Sequence, residues 1–309
     1  MATVGELYRD IGEAIDDVGN VVHPAWKLLR WINKAIKDIV WRTDCLWTSN
    51  EIEGQRRIAI LDYADLEAAG NILTVTIDDV DTDLTEGVDW DAATSNAVTA
   101  TDLASAITAL TNISAYADGA YVYVCGVNGS TTSIACDAAT TDLTIADAGY
   151  ETFELANILT RFRIVKTIYN LTDGILYRSL TQNQYDRFVM DSAFTSSVYT
   201  INANNLMSIK KGGGNLSSSN TVTIEHLQYP AELTLSSESP PGILSRFDDV
   251  IINRCLKRVN EHKRVDNPSQ VGNYLYGLDI EYERMIKQIK HELRSQGDPG
   301  INTLLYQWK

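Results

Sequence analysis

Apolar residues recur at three- and four-residue spacing near both ends of the chain and at alternating positions in between. Leu7, Ile11, Ile15 and Val18 predict a first helix from Val4, stopped by Gly19 and Asn20. The run PAWKLLRWINKAIKDIVWR puts Leu28 or Leu29, Ile32, Ile36 and Ile39 on one face of a second helix, with Pro24 suited to its first turn. The best-specified helix is Ile243 to Arg264. Ile243, Phe247, Val250, Ile251, Cys255 and Val259 form one stripe, Asp248 and Asp249 sit early, and Lys257, Arg258, Lys263 and Arg264 crowd the end, as the helix dipole favours. Pro268 breaks the run. A second stripe of Leu275, Leu278, Tyr282, Met285, Ile289 and Leu293 then predicts an antiparallel partner. The last stretch, GDPGINTLLYQWK, reads as an extended apolar tail.

Around Gly70 the charged helix formers give way to Thr, Val, Ala and Asp. NILTVTIDDV from Asn71 predicts one strand, and Leu84 to Trp90 a short extended piece. TDLASAITAL predicts a helix capped by Thr99 or Thr101, and AYVYVCGVNGSTTSIAC predicts a hairpin turning at Asn128-Gly129. After Thr152, RFRIVKTIYN and ILYRSL flank Asp173-Gly174 as a hairpin, and TQNQYDRFVM is a short helix. VYTINANN, LMSIKK and TVTIEHLQY are strands. The expected fold is α+β without βαβ alternation. It has a helical bundle built from the N- and C-terminal helices, a central antiparallel β region, and an inserted small α/β domain. The implied organisation is a core of residues 1–61 and 152–296, an acidic insertion at 62–151 and a C-terminal tail at 297–309.

Charge sharpens that division. The net charge is -15, yet 17 of the 41 acidic residues lie between Asp62 and Glu154, where there is no Lys or Arg. Such a segment repels a phosphate backbone, while the rest of the chain is near neutral. No apolar run is long enough to span a bilayer and the N-terminal stretch is acidic, so a soluble protein made in a cytoplasm is expected. Cys45, Cys125, Cys136 and Cys255 show no paired spacing. Cys125 and Cys136 could face each other across the expected hairpin, but reduced thiols also account for them.

The chain offers no constellation of catalytic side chains. His23, His226, His262 and His291 are scattered, and His291-Glu292 has Ser295 where a zinc-protease helix needs its second histidine. KKGGGN from Lys210 lacks the ending of a phosphate loop and reads as a hairpin tip. The acidic run Asp78 to Asp83 has Trp90 at the position where a calcium loop needs Glu. No catalytic residue, metal site or cofactor is expected. Trp26, Trp31, Trp41 and Trp47 cluster in and after the second helix, where tryptophans serve as core or as subunit contact.

Three tracts, in this order, resemble the head-tail adaptor (connector) proteins of tailed bacteriophages: LLRWINKAIKDIVWR from Leu28, RFRIVKTIYNLTDGILYRSLTQNQYDRF from Arg161, and TVTIEHLQYPAELTLSSESPPGILSRFDDVIINRCLKRV from Thr221. The resemblance covers about two thirds of the chain. The 71–146 segment is similar instead to small α/β modules that decorate phage virion proteins. The resemblance implies a structural, non-enzymatic virion protein at the neck, assembled in the host cytoplasm. It would be a ring, usually of twelve copies, that binds the portal protein above and tail or nozzle proteins below. Double-stranded DNA would pass through it without specific binding, and no membrane is involved. It further implies that Ile301, Leu304, Leu305, Tyr306 and Trp308 dock into the portal and that Trp26, Trp31, Trp41 and Trp47 are ring-interface candidates. The alternative is a binding or decoration module whose insertion contacts host glycan or another tail component, with Trp90, Tyr121 and Tyr123 as a sugar platform.

Overall fold

The computed structural model describes residues 4–14, 24–147, 151–159, 161–170, 173–190, 195–212, 220–234, 248–262 and 268–295. Ile15, Val18, Gly213, Gly214, Ile243 and Phe247 lie outside them, as does the tail with Ile301, Leu304, Leu305, Tyr306 and Trp308. In chain order the elements are α1 (Val4–Ala14), α2 (Ala25–Thr43), β1 (Trp47–Glu53), β2 (Arg56–Ile60), α3 (Tyr63–Ala69), β3 (Ile72–Ile77), β4 (Val80–Thr85), α4 (Asn96–Thr108), β5 (Ile113–Asp118), β6 (Tyr121–Gly126) and β7 (Thr132–Cys136). There follow β8 (Leu143–Asp147), β9 (Glu151–Glu154), α5 (Leu155–Ile158), β10 (Phe162–Asn170), β11 (Ile175–Ser179), α6 (Gln182–Met190), β12 (Val198–Ile201), β13 (Leu206–Lys210), β14 (Thr221–Gln228), α7 (Asp248–His262) and α8 (Pro268–Ser295). The chain is α+β. It separates into two compact units, Met1–Trp47 with Leu227–Lys309, and Thr48–His226.

In the first unit α1, α2, α7 and α8 bury their apolar stripes in one core. Leu7 and Ile11 meet Leu28, Ile32, Ile36 and Ile39, together with Ile251, Cys255, Val259, Tyr282, Ile286 and Ile289. Each fully buried aliphatic side chain contributes about 1.5–3 kcal/mol, so the 3.6-residue period dictates which faces close on one another. Burial alone pushes the Cys255 thiol up to about 12. Pro24 is the N-cap of α2 and not its first helical residue, and Asp44 ends the helix in the left-handed conformation with its N–H on the Val40 carbonyl. Pro268 is the first residue of α8, where its missing N–H is not needed. Asn33 holds the returning chain by donating to the Leu233 carbonyl at 3.0 Å and accepting from its N–H at 2.9 Å.

The second unit holds three sheets. The largest runs β1-β14-β10-β11-β12-β13-β9, and the others run β5-β6-β2-β8 and β4-β3-β7. The hairpin expected around Asp173-Gly174 is present, with Asn170 opposite Ile175. β11 and β12 pair in parallel across α6, contrary to the expected all-antiparallel region without βαβ alternation. What reads as a short helix between two hairpins is a crossover, the connection that a parallel pair requires.

The hairpin expected across Asn128-Gly129 does not form. The turn has the backbone such a dipeptide favours, φ 60° and 81°. Even so, β6 pairs with β5 and β2, and β7 pairs with β3, so the turn carries the chain from one sheet to another. Cys125 and Cys136 thus lie on strands of different sheets, and both are free thiols. The tight two-residue turn is at Asp78-Asp79 instead, where φ is 50° and 65° and where the sequence suggests one continuous strand. Thr74 and Thr76 there donate to Asp83 and Asp81 across the hairpin, each at 2.7 Å. β2 precedes residue 62 and lies between β6 and β8. α4 begins a turn earlier than expected, capped by Ser95, whose Oγ accepts from the Val98 N–H at 3.3 Å, while Thr99 is buried.

His226 is fully buried on β14, and neither ring nitrogen has a hydrogen-bond partner in good geometry. Burial outweighs the opposing pull of the Ile224 backbone and holds its pKa below the usual 6.5. The unfolded chain therefore binds more protons on acidification. The contribution of the neutral ring is intact above about pH 6.5 and is lost as pH falls below it. Stability to urea should therefore fall on acidification below about pH 6.5 through this group. His226→Leu should flatten that part of the profile, and an unchanged slope would contradict the assignment.

Candidate interaction surfaces

The side of α2 turned away from its core carries Trp26, Arg30, Lys34, Lys37 and Trp41, all exposed and all within one helical stripe. Trp26 is 63% and Trp41 61% exposed. On α8 the core side is Leu278, Tyr282, Ile286 and Ile289, and the opposite side leaves Tyr276 and Ile280 in solvent at 68% and 54%. The two stripes differ in character: one is tryptophan with cations, the other tyrosine and isoleucine followed by Arg284, which pairs with Glu281 at 3.8 Å. A groove of about 410 Å³ runs beside Trp41 between Lys34, Lys37, Arg254 and Arg258.

Polar groups fix the α2 stripe against α7 and α8. Asp38 accepts from the Tyr282 hydroxyl at 2.8 Å and pairs with Arg254 at 3.1 Å and Arg42 at 3.3 Å. Arg42 also pairs with Glu283, and both guanidinium groups lie over the Tyr282 ring, at 5.4 and 4.7 Å. Lys257 completes the set on Asp279 at 2.5 Å. Burial, with the Asp38 carboxylate beside it, pushes the Tyr282 phenol up, so the hydroxyl stays a proton donor. Such a network sets the helices' register more than it adds to their stability.

The second unit has a separate feature, an open cleft of about 1100 Å³ lined by α4, β5, β6, β9 through Thr152 and Glu154, and the 202–206 turn. Tyr116 and Tyr123 stack at 5.1 Å and 14° and form one wall. Burial, then the neighbouring ring, pushes the Tyr116 phenol up, and burial does the same to Tyr123 against the opposing Arg57 charge. Both phenols therefore remain neutral. Thr101, Ser105 and Thr152 bring hydroxyls to the lining, and Asp118, Glu154 and Asn204 bring carboxylates and an amide. No cationic side chain is among the described residues that line it.

Of the expected interface residues, the structure exposes Trp26, Trp41 and, at 38%, Trp47, which opens β1. Trp31 is 6% exposed in the core, with Lys27 Nζ 5.1 Å from its ring. The suggested sugar platform of Trp90, Tyr121 and Tyr123 does not exist as a set. Trp90 is 1% exposed and donates its indole N–H to the Leu84 carbonyl at 3.2 Å. Tyr121 is 41% exposed, with the Arg57 guanidinium 5.1 Å from its ring. Sequence reading missed Tyr116, whose position directly opposite Tyr123 becomes visible only once β5 and β6 are paired.

Among the described residues no cluster of His, Cys, Asp or Glu could hold a metal ion, and no helix is long and apolar enough to cross a membrane. No protein-family model matches the chain, and no curated protein matches its sequence.

Proposed function

We propose that the chain is a structural head-tail adaptor of a tailed bacteriophage. Copies of it close a ring in the virion neck, between the portal above and the tail or nozzle proteins below. The ring is non-catalytic and lets double-stranded DNA pass without holding it. In this reading α1, α2, α7 and α8 are the helical bundle of the ring wall, the 62–151 segment is an inserted small α/β domain, and twelve copies complete the circle. The tail, with Ile301, Leu304, Leu305, Tyr306 and Trp308, docks into the portal.

The observation that carries the proposal is the pair of unlike exposed stripes, Trp26 to Trp41 on α2 and Tyr276 with Ile280 on α8. A two-fold dimer uses the same patch on both copies. Two different patches on one subunit make a head-to-tail contact, which closes into a ring when the rotation allows.

Complementary variants test this. Trp41→Ser damages one face and Tyr276→Ser with Ile280→Ser the other, and all three side chains are exposed, so folding is expected to survive. Mass photometry should find neither variant in rings, with the portal present to nucleate them. An equimolar mixture should yield only capped pairs joined through the two intact faces. Rings formed by either variant alone overturn the head-to-tail reading.

A further inference from the structure

We propose that Asn128 is a latent deamidation site, guarded by the hydrogen bonds that strap its turn to β1, and that its conversion loosens the junction between the sheets. Asn128-Gly129 is the only Asn-Gly pair in the chain, and both residues are exposed. Asparagine is thermolabile, and most so before glycine, which has no side chain to shield its backbone nitrogen.

The chemistry is intramolecular. A solvent base takes the Gly129 N–H proton, and that nitrogen attacks Asn128 Cγ. The N–Cγ bond forms, the Cγ–Nδ2 bond breaks, and Nδ2 leaves as ammonia with a proton from solvent. Water then opens the resulting succinimide at one of its two carbonyls, leaving aspartate or isoaspartate. Nothing is oxidised or reduced.

The fold obstructs this attack at both reacting groups. The Gly129 N–H donates to the Glu51 carbonyl at 3.2 Å, so the nucleophile is committed to β1. Asn128 Oδ1 accepts from Asn50 Nδ2 at 2.9 Å, and Asn128 Nδ2 donates to Asn112 Oδ1 at 3.3 Å, so the amide is held at both ends. Reaction has to wait until the turn opens locally. Conversion then removes what closed it. Aspartate cannot donate to Asn112, and isoaspartate lengthens the main chain by one carbon between β6 and β7. The new carboxylate also arrives beside Glu51, whose Oε2 lies 3.3 Å from where a Cβ on Gly129 would sit. β1, β6 and β7 belong to three different sheets, so this turn is where they are tied together.

Peptide mapping by mass spectrometry should follow Asn128 in the intact protein at mildly alkaline pH, in buffer and in guanidinium chloride. In denaturant Asn128 should convert before every other asparagine, and in buffer it should be slower by at least about tenfold. Asn50→Ala and Asn112→Gly each remove one partner of the amide, the second keeping a residue suited to φ 62°. Each should speed conversion in buffer by about three- to tenfold, with wild-type circular dichroism. Asn128→Asp, which copies the product's charge, should melt below the wild type. Equal rates in buffer and denaturant overturn the guard, as do two variants that both convert at the wild-type rate. Another asparagine converting first in denaturant overturns the site. An unchanged melting temperature for Asn128→Asp overturns the loosening.

Discussion

Trp90→Ala should destabilise the protein by about 3–5 kcal/mol, the range for removing a large aromatic from a closed core. Trp90 shares that core with Ile58, Leu73, Leu84, Leu103 and Ile107, and its indole N–H satisfies the Leu84 carbonyl. Trp90→Phe keeps most of the volume and removes that hydrogen bond, so about 1 kcal/mol should be lost in addition to a small cavity. Urea unfolding followed by far-ultraviolet circular dichroism measures both. A loss below about 1 kcal/mol for the alanine variant would mean that Trp90 is not the centre of this core.

Tyr282→Ala should have a comparable effect on the helical unit, about 3–4 kcal/mol. Its ring is 1% exposed and lies beneath Arg42 and Arg254, and its hydroxyl donates to Asp38. Tyr282→Phe removes only a hydrogen bond to a charged acceptor and should cost about 1.5 kcal/mol. Asp38→Ala strips the carboxylate from Arg254, whose side chain is 17% exposed. A loss of about 2 kcal/mol is expected, between the values for surface and buried pairs. Combining Tyr282→Phe with Asp38→Ala should give a non-additive cycle with a coupling of at least about 0.5 kcal/mol. Strict additivity would show that the hydroxyl and the carboxylate do not act together.

The helices were legible in the sequence because one short-range rule, the 3.6-residue period, decides both their existence and their buried face. Ile32, Ile36 and Ile39 on α2 and Ile251, Cys255 and Val259 on α7 meet as their spacing implies. The strands were legible as strands, but their partners were not. Asn128-Gly129 adopts the turn its residues favour, yet both edges of β6 are taken by β5 and β2, a competition that no local pattern records. Asp78-Asp79 makes the tight hairpin instead, and there the Asp78 carboxylate accepts from the Thr131 N–H at 2.9 Å.

The surfaces follow the same division. Trp26 and Trp41 fall opposite the core stripe by helical spacing alone, and the same spacing could have removed Trp31 from the set, since it precedes the core residue Ile32 and lies between Leu28 and Ala35. The cleft was out of reach. Its walls come from α4, the β5–β6 pair, Thr152 with Glu154, and Asn204, which are brought together by sheet pairing and not by any motif.

The central claim is head-to-tail closure of identical subunits beneath a portal. Mass photometry of the intact chain mixed with the portal ring of the proposed phage tests it most directly, with a chain lacking residues 297–309 as the comparison. The account predicts one discrete complex, heavier than the portal by a full ring of subunits, that is lost on truncation. A portal that stays bare, or one that collects the truncated chain equally well, would contradict it.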